Sequence, residues 1–122
     1  MRVNVRDAGD VIIVDLMGRL VAGVGDDLLR EVINELLAEG WKKILLNLSE
    51  VSYIDSAGVG ELLASHRTAR QMGASLKATR LGQRVNRVLR LSQILPLLDV
   101  YDTEEEALQL FAAGTNGAEA PQ

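Results

Sequence analysis

The pair Asp55-Ser56 is the feature of this sequence whose residue types and position are best suited to chemistry. An apolar, strand-like run at 44–46 precedes it, and a helical pattern begins near Ser56. At a helix N-terminus, the free backbone N–H groups and the helix dipole both favour negative charge. The Ser56 hydroxyl is therefore a candidate to carry a charged group, and its alternative role is that of a helix cap.

Two glycines follow this pair in the first turn of the predicted helix. Gly58 and Gly60 each cost about 1 kcal/mol relative to alanine at such a position. Because glycine leaves room for a neighbouring group, we expect another group to approach this turn closely. The spacing is not that of a dinucleotide-binding loop, since Leu63 stands where that loop has its third glycine.

Ser56 lacks the surroundings of a catalytic nucleophile. The only histidine, His66, stands about two and a half turns further along the same predicted helix. A serine without an adjacent base is a weak nucleophile, and no glycine of a nucleophile elbow precedes Ser56. We therefore predict that the protein is not an enzyme. His66 is predicted to be a half-buried structural residue and not a metal ligand.

The composition describes a single small domain with an aliphatic core. The chain has 122 residues, of which 48% are apolar and only 3% are aromatic. The absence of cysteine excludes a disulfide framework, and the formal charge of −4 argues against a general nucleic-acid-binding protein. No apolar run approaches the ~20 residues that cross a membrane, and no signal-peptide pattern opens the chain. We expect a soluble cytoplasmic protein without a cofactor.

The first half of the chain predicts a hairpin, a helix and a buried strand. Two short runs rich in valine and isoleucine flank turn residues, and Gly18 is predicted to end the second strand. A helix capped by Asp26 or Asp27 and stopped by Gly40 follows, because its apolar residues recur at three- and four-residue steps. The nearly continuous apolar run at 43–48 is typical of a strand buried on both faces.

The second half of the chain alternates in the same way. A helix whose core face reaches Met72 is followed by a weak strand and by a third helix with Leu91 on its apolar side. Thr103 and Glu106 have the spacing of a capping box and open the last helix.

Strands that alternate with helices imply crossover connections and a mostly parallel sheet. We predict an α/β fold: one domain over residues 1–113 with a small mixed sheet, an antiparallel first strand and about four helices. Residues 114–122 have no periodicity and are predicted to form a disordered tail.

A resemblance to a known family rests on Asp55-Ser56-Ala57-Gly58-Val59-Gly60 and on the preceding Asn47-Leu48-Ser49-Glu50-Val51. These residues resemble the signature of STAS domains and, more narrowly, of the anti-sigma factor antagonists. The resemblance implies that the unphosphorylated protein binds an anti-sigma factor, which is itself a serine kinase, and thereby frees a sigma factor. Phosphorylation of Ser56 would end that binding, and a separate serine phosphatase would reset it. The implied partner-contacting residues are Asp55, Ser56, Ala57, Gly58, Val59, Gly60 and Glu61.

The chain departs from the family pattern at two positions. Gly18-Arg19-Leu20 resembles a turn that the family continues with an aspartate, and Val21 stands there instead. The resemblance implies that this aspartate lies near the phosphorylated serine, so its replacement would weaken or alter recognition. Ala57 stands where many members have a second serine.

Two questions stay open at the level of the sequence. The protein could instead be a non-catalytic STAS scaffold subunit of a stress-sensing assembly or of a transporter complex. Arg84, Arg87 and Arg90 recur every three residues in the predicted third helix, which fits either a solvated face or a surface for an acidic partner.

Overall fold

A five-stranded mixed sheet forms the centre of the computed structural model, which describes residues 1–113. The predicted tail at 114–122 lies outside these residues. The strands are β1 (Arg2–Ala8), β2 (Val11–Leu20), β3 (Lys43–Ile54), β4 (Ser75–Thr79) and β5 (Asp99–Tyr101). They lie side by side in chain order, with β1 antiparallel to β2 and the other neighbouring pairs parallel. The predicted fold class is confirmed.

Helices cover both faces of this sheet. They are α1 (Asp26–Ala38), α2 (Ser56–Gln71), α3 (Gln83–Leu91) and α4 (Glu104–Ala112), with a short 3-10 helix at Leu95–Leu97. The first three helices share the larger apolar cluster with one face of the sheet, and α4 packs Ala107 and Phe111 against the other face. Within residues 1–113, no helix is long and apolar enough to cross a membrane.

Strand β3 runs through the middle of the core. Ile44, Leu45 and Leu46 each have 0% of their surface exposed. Ile44 and Leu46 belong to the larger apolar cluster, whereas Leu45 belongs to the smaller cluster on the opposite face. The prediction of a strand buried on both faces is therefore confirmed.

Strands β2 and β3 both continue beyond their predicted ends. β2 passes Gly18 and reaches Leu20, and β3 extends past Leu48 to Ile54. The parallel ladder explains the difference, because it continues to the pair Leu20 and Ile54 and so keeps the polar residues before them extended. Gly18 lies at a register shift with a φ of +116°, a conformation that favours glycine.

Two side chains predicted to face the core are exposed instead. Met72 is 50% exposed because it is the residue that ends α2. Leu91 is 76% exposed. It follows the buried Leu89 by two positions, which places it about 200° further around α3 and away from the sheet.

The two predicted helix caps have different outcomes. The cap of α4 is confirmed, since the Thr103 hydroxyl accepts the N–H of Glu106 at 3.1 Å. The predicted cap of α1 is wrong, because Asp26 is the first helical residue and no side chain caps the helix. The Asp26 carboxylate instead accepts the N–H groups of Gly23 and Asp27, each at 2.8 Å, and so stabilises the turn before the helix.

A cluster of charged groups connects α4 to the hairpin. The Arg6 guanidinium contacts Asp15 at 2.7 Å and Glu104 at 2.8 Å. Asn47 donates a further hydrogen bond of 2.7 Å to Asp15. The hydrogen bond from Arg6 is the main cause that lowers the pKa of Asp15 to about 2.

Candidate functional site

Strands β2 and β3 end side by side and place Asp55 and Ser56 at the start of α2. Leu20 and Ile54 form the last pair of the β2–β3 ladder. The Asp55 N–H then donates to the Leu20 carbonyl at 3.3 Å, and α2 begins at Ser56. Because β2 and β3 are parallel, the loop that follows β2 lies beside this junction.

Asp55 is the N-cap of α2. One carboxylate oxygen accepts the N–H of Gly58 at 3.0 Å, and the other accepts the N–H of Ala22 at 3.1 Å. These backbone hydrogen bonds, first that from Gly58, lower the pKa of Asp55. A single side chain therefore holds the helix start and the loop after β2 together, and it stays ionised at neutral pH.

Ser56 is the first residue of the helix, so the alternative in which it caps α2 is wrong. Its side chain is exposed. Within the described part of the chain, the hydroxyl takes part in no hydrogen bond. A hydroxyl in this position is open to an approaching protein, and a negative charge added to it would be stabilised by the helix N-terminus.

The two glycines of the first turn have different surroundings. A Cβ on Gly58 would collide with the Leu20 carbonyl oxygen and would lie 2.8 Å from Ile54 Cγ1. A Cβ on Gly60 would meet nothing within 4 Å. The close approach predicted from the sequence thus occurs at Gly58, and the approaching group is the end of β2 in the same molecule.

The seven predicted contact positions differ in their exposure. The exposed positions are Ser56 and Gly60, the partly exposed ones are Asp55, Ala57 and Glu61, and the buried ones are Gly58 and Val59. Ser56 and Gly60 are four residues apart and therefore share one face of α2. A protein that docks on this turn would contact the exposed and partly exposed positions. The buried pair, Gly58 and Val59, would not be accessible to it.

Glu61 connects α2 to α1. Its carboxylate lies 3.3 Å from Arg30, and the Arg30 guanidinium also contacts Asp27 at 2.6 Å. The Ser65 hydroxyl donates to Glu61 at 3.3 Å. Part of the negative charge near Ser56 is therefore already balanced within the protein.

The loop after β2 adds an apolar surface that the sequence did not indicate. The Val21 carbonyl accepts the N–H groups of Val24 and Gly25, each at 3.1 Å, which forms a tight turn. Val21 is buried at 8% exposure, whereas Val24 is 50% exposed. The Ala22 N–H joins this turn to Asp55. The two glycines around Val24 indicated a loop, but not that the valine between them points outward.

Tyr53 is a second residue whose surroundings the sequence did not indicate. It is 41% exposed and precedes Asp55 by two residues. The guanidinium groups of Arg19 and Arg84 lie 5.6 and 5.7 Å from the centre of its ring. Only the register of β2 against β3 and the packing of α3 bring these three residues together.

The described residues contain no base next to Ser56 and no metal cluster. His66 is buried at 9% exposure, more deeply than predicted, and burial lowers its pKa. It lies about 15 Å further along the axis of α2 from Ser56. Across residues 1–113, no three or more histidine and carboxylate side chains are grouped so that they could hold a metal ion.

A large open groove lies elsewhere on the molecule. Its volume is about 1280 Å³, and its lining includes Arg6, Asp15 and Glu104, whereas none of residues 55–61 lines it. Arg6, Asp15 and Glu104 are already paired with one another. We place the candidate site at the start of α2, where the exposed Ser56 hydroxyl stands on the first turn of the helix.

The fold is that of a known class of domain. The model of the STAS domain family matches residues 2–107, and the chain therefore belongs to the STAS domain family.

Relatives of known name and structure lie within this family. A Thermotoga neapolitana protein, named among the anti-sigma factor antagonists, is 35% identical over 64% of this chain and 69% of its own. The crystal structure of a similarly named Thermotoga maritima protein has 27% identity and a TM-score of 0.80, and the match covers 88% of this chain and 92% of that one.

The anti-sigma factor antagonist SpoIIAA has the same fold. Its unphosphorylated form matches with 22% identity and a TM-score of 0.73, over 93% of this chain and 98% of SpoIIAA. The phosphorylated form of SpoIIAA, from Bacillus, matches with 21% identity and a TM-score of 0.66, over 90% of this chain and 99% of SpoIIAA.

Proposed function

We propose that this protein is an anti-sigma factor antagonist, which binds an anti-sigma factor while unphosphorylated and so releases a sigma factor. The observation that carries the proposal is the exposed Ser56 hydroxyl, which takes part in no hydrogen bond of residues 1–113 and stands on the first turn of α2. The names of the Thermotoga relatives support the class of protein. SpoIIAA supports a switch by phosphorylation, because a protein of this fold has been solved in a phosphorylated form.

The proposed docking surface combines the first turn of α2 with the loop after β2. Ser56 and Gly60 supply an open, polar face, and Val24 supplies an exposed apolar side chain. Asp55 joins the two segments through its hydrogen bonds to Gly58 and Ala22. The surface is thus held in one arrangement before a partner arrives, which lowers the entropic cost of binding.

Phosphorylation of Ser56 would act on binding rather than on folding. It adds a charge of about −1.5 to −2. The helix N-terminus stabilises such a charge by ~0.3–1 kcal/mol. An unpaired charge buried in an interface costs several kcal/mol, and about 1.4 kcal/mol corresponds to a tenfold change in affinity. Because the interface penalty is the larger quantity, the phosphorylated protein stays folded and releases its partner.

The two enzymes that phosphorylate and dephosphorylate Ser56 would be partners of this protein. The anti-sigma factor would be the serine kinase that phosphorylates Ser56, and a separate serine phosphatase would remove the phosphate. This protein would contribute a substrate hydroxyl and a docking surface, with no catalytic group, cofactor or nucleic-acid contact of its own. The proposal implies that it acts in the cytoplasm, where sigma factors meet RNA polymerase.

Intact-mass measurement tests the phosphorylation step. The protein is incubated with Mg-ATP and the purified serine-kinase anti-sigma factor of the same genome. We expect one phosphate on the wild type and on Ser52→Ala, and none on Ser56→Ala. Ser52 is the matched control because it is an exposed serine four residues away, whose hydroxyl donates to the Gly18 carbonyl at 3.3 Å.

Two results would contradict the proposal. Phosphate on Ser56→Ala would assign the modification to another residue. A wild type that takes up no phosphate and elutes only in a megadalton assembly would favour the scaffold subunit instead.

A further inference from the structure

Three exposed side chains form a stack at the same end of the sheet as Ser56. Arg19 of β2 pairs in register with Tyr53 of β3, and Arg84 reaches the same ring from the start of α3. Both guanidinium groups lie within about 6 Å of the ring centre, the range of a cation–π contact. We call Arg19, Tyr53 and Arg84 the arginine–tyrosine cluster.

The cluster carries positive charge that the described residues do not balance. Neither Arg19 nor Arg84 has a carboxylate within ion-pair distance among residues 1–113. Other arginines differ in this respect, since Arg6 pairs with two carboxylates and Arg30 pairs with two more. An uncompensated pair of cations on a protein of formal charge −4 is a distinct electropositive spot.

Three of the carboxylates nearest to Ser56 are already engaged. Asp55 accepts two backbone N–H groups, and Asp26 accepts two others. Glu61 is paired with Arg30. These three carboxylates are therefore not available to pair with Arg19 or Arg84.

The cluster is continuous with the proposed docking surface. Tyr53 and Arg19 form one pair of the β2–β3 ladder, and the next pair, Leu20 and Ile54, leads directly to Asp55. Tyrosine and arginine are also the residue types that most often dominate the energy of a protein interface.

We propose that the arginine–tyrosine cluster receives a carboxylate-bearing segment of the anti-sigma factor, next to the contact at Ser56. A guanidinium donates two parallel hydrogen bonds to a carboxylate, and contact with the tyrosine ring positions both guanidinium groups before binding. The complementary charge also speeds association. This inference rests on the proposed function and adds to it the chemistry of the partner's surface.

Surface plasmon resonance with the immobilised, purified anti-sigma kinase tests the cluster. We expect Arg19→Glu and Arg84→Glu each to weaken the Kd by about tenfold or more, mainly through slower association. The control is Arg67→Glu, which changes the net charge equally at an exposed arginine about three helical turns beyond Ser56. We expect its Kd to change by less than about threefold.

Variants of Tyr53 separate the ring from its hydroxyl group. Tyr53→Phe keeps the stacking surface and is expected to bind like the wild type, whereas Tyr53→Ala is expected to lose about tenfold in affinity. Thermal melting by circular dichroism accompanies each variant. If Arg19→Glu, Arg84→Glu or Tyr53→Ala melts like the wild type and still binds normally, the inference is overturned.

The same experiment separates this inference from the proposed function. If the wild type binds the kinase and the two charge reversals behave like Arg67→Glu, the docking role of the cluster is wrong and the proposed function stands. If the wild type itself does not bind the kinase, the proposed function fails and the inference falls with it. If Arg67→Glu weakened binding as much as the two cluster variants did, the effect would come from net charge alone, and the inference would also be overturned.

Discussion

Replacing Gly58 with alanine places a methyl group against the end of β2. The new Cβ would collide with the Leu20 carbonyl oxygen, and would lie 2.8 Å from Ile54 Cγ1 and 3.0 Å from Leu20 Cγ. One of the three contacts is with backbone, which cannot rotate away as a flexible side chain can. Either α2 or the end of β2 must shift to admit the methyl group.

Two opposing contributions determine how much Gly58→Ala changes the free energy of unfolding. Alanine stabilises a helix by about 1 kcal/mol relative to glycine, and overpacking of a well-filled site costs about 1–3 kcal/mol. Because the obstruction includes backbone, we expect the upper part of that range. Gly58→Ala should therefore destabilise the fold by about 2 kcal/mol after the helix term is subtracted.

Gly60→Ala is the matched control, because it lies in the same helix and its Cβ would meet nothing within 4 Å. It should stabilise the fold by about 1 kcal/mol. Urea denaturation of the two variants, followed by circular dichroism, measures the difference, which we expect to be about 3 kcal/mol. Equal free energies of unfolding for the two variants would refute the close approach of β2 to α2.

Four further substitutions test the site and the charged cluster around Asp15. Val21→Asp introduces the family's aspartate at a position that is 8% exposed. It should lower the free energy of unfolding by about 1–3 kcal/mol, measured in urea, because a buried carboxylate needs partners. Asp15→Asn should remove an acid-sensitive part of the stability. Since the pKa of Asp15 is lowered to about 2, its pairing with Arg6 contributes above pH 4 and is lost as the pH falls towards 2. The wild type should lose about 2 kcal/mol over that interval that the variant does not lose, in urea titrations at each pH. Asp55→Ala should lower the melting temperature and Ser56→Ala should not, because only the Asp55 side chain holds backbone N–H groups.

Each of these substitutions has an outcome that would contradict the structure. A Val21→Asp variant as stable as the wild type would mean that the introduced carboxylate reaches solvent or a donor. If the wild type and Asp15→Asn lost the same free energy of unfolding as the pH fell, the pairing of Asp15 with Arg6 would not be the cause of that loss. Equal melting temperatures for Asp55→Ala and Ser56→Ala would mean that the cap contributes nothing.

The sequence predicted the junction between strand and helix well because its signals are local. Asp-Ser before a helical pattern, with glycines in the first turn, is read from neighbouring residues alone. What the sequence could not supply was the group that approaches Gly58, because Leu20 belongs to another strand. The alternative in which Ser56 caps the helix was wrong, and the sequence could not decide it locally because Asp55 and Ser56 both have the chemistry of a cap.

The errors fall where distant residues decide the structure. The segment before Ile54 is polar and was not expected to be a strand, but the ladder with β2 keeps it extended. Lys77 is a stronger case, because a lysine in a weak strand is expected to be exposed and this one is 0% exposed. Its ammonium group lies 3.4 Å from Asp99 and about 5 Å from the rings of Tyr101 and Phe111. These partners come from later parts of the chain that no local pattern connects to it.

The affinity of the anti-sigma kinase for this protein, measured before and after phosphorylation of Ser56, tests the central claim most directly. Isothermal titration calorimetry on samples whose single phosphate is verified by intact mass supplies both values. We predict that phosphorylation weakens the Kd by about 100-fold or more and leaves the melting temperature unchanged. An equal Kd for the two forms, with the phosphate confirmed on Ser56, would contradict the account.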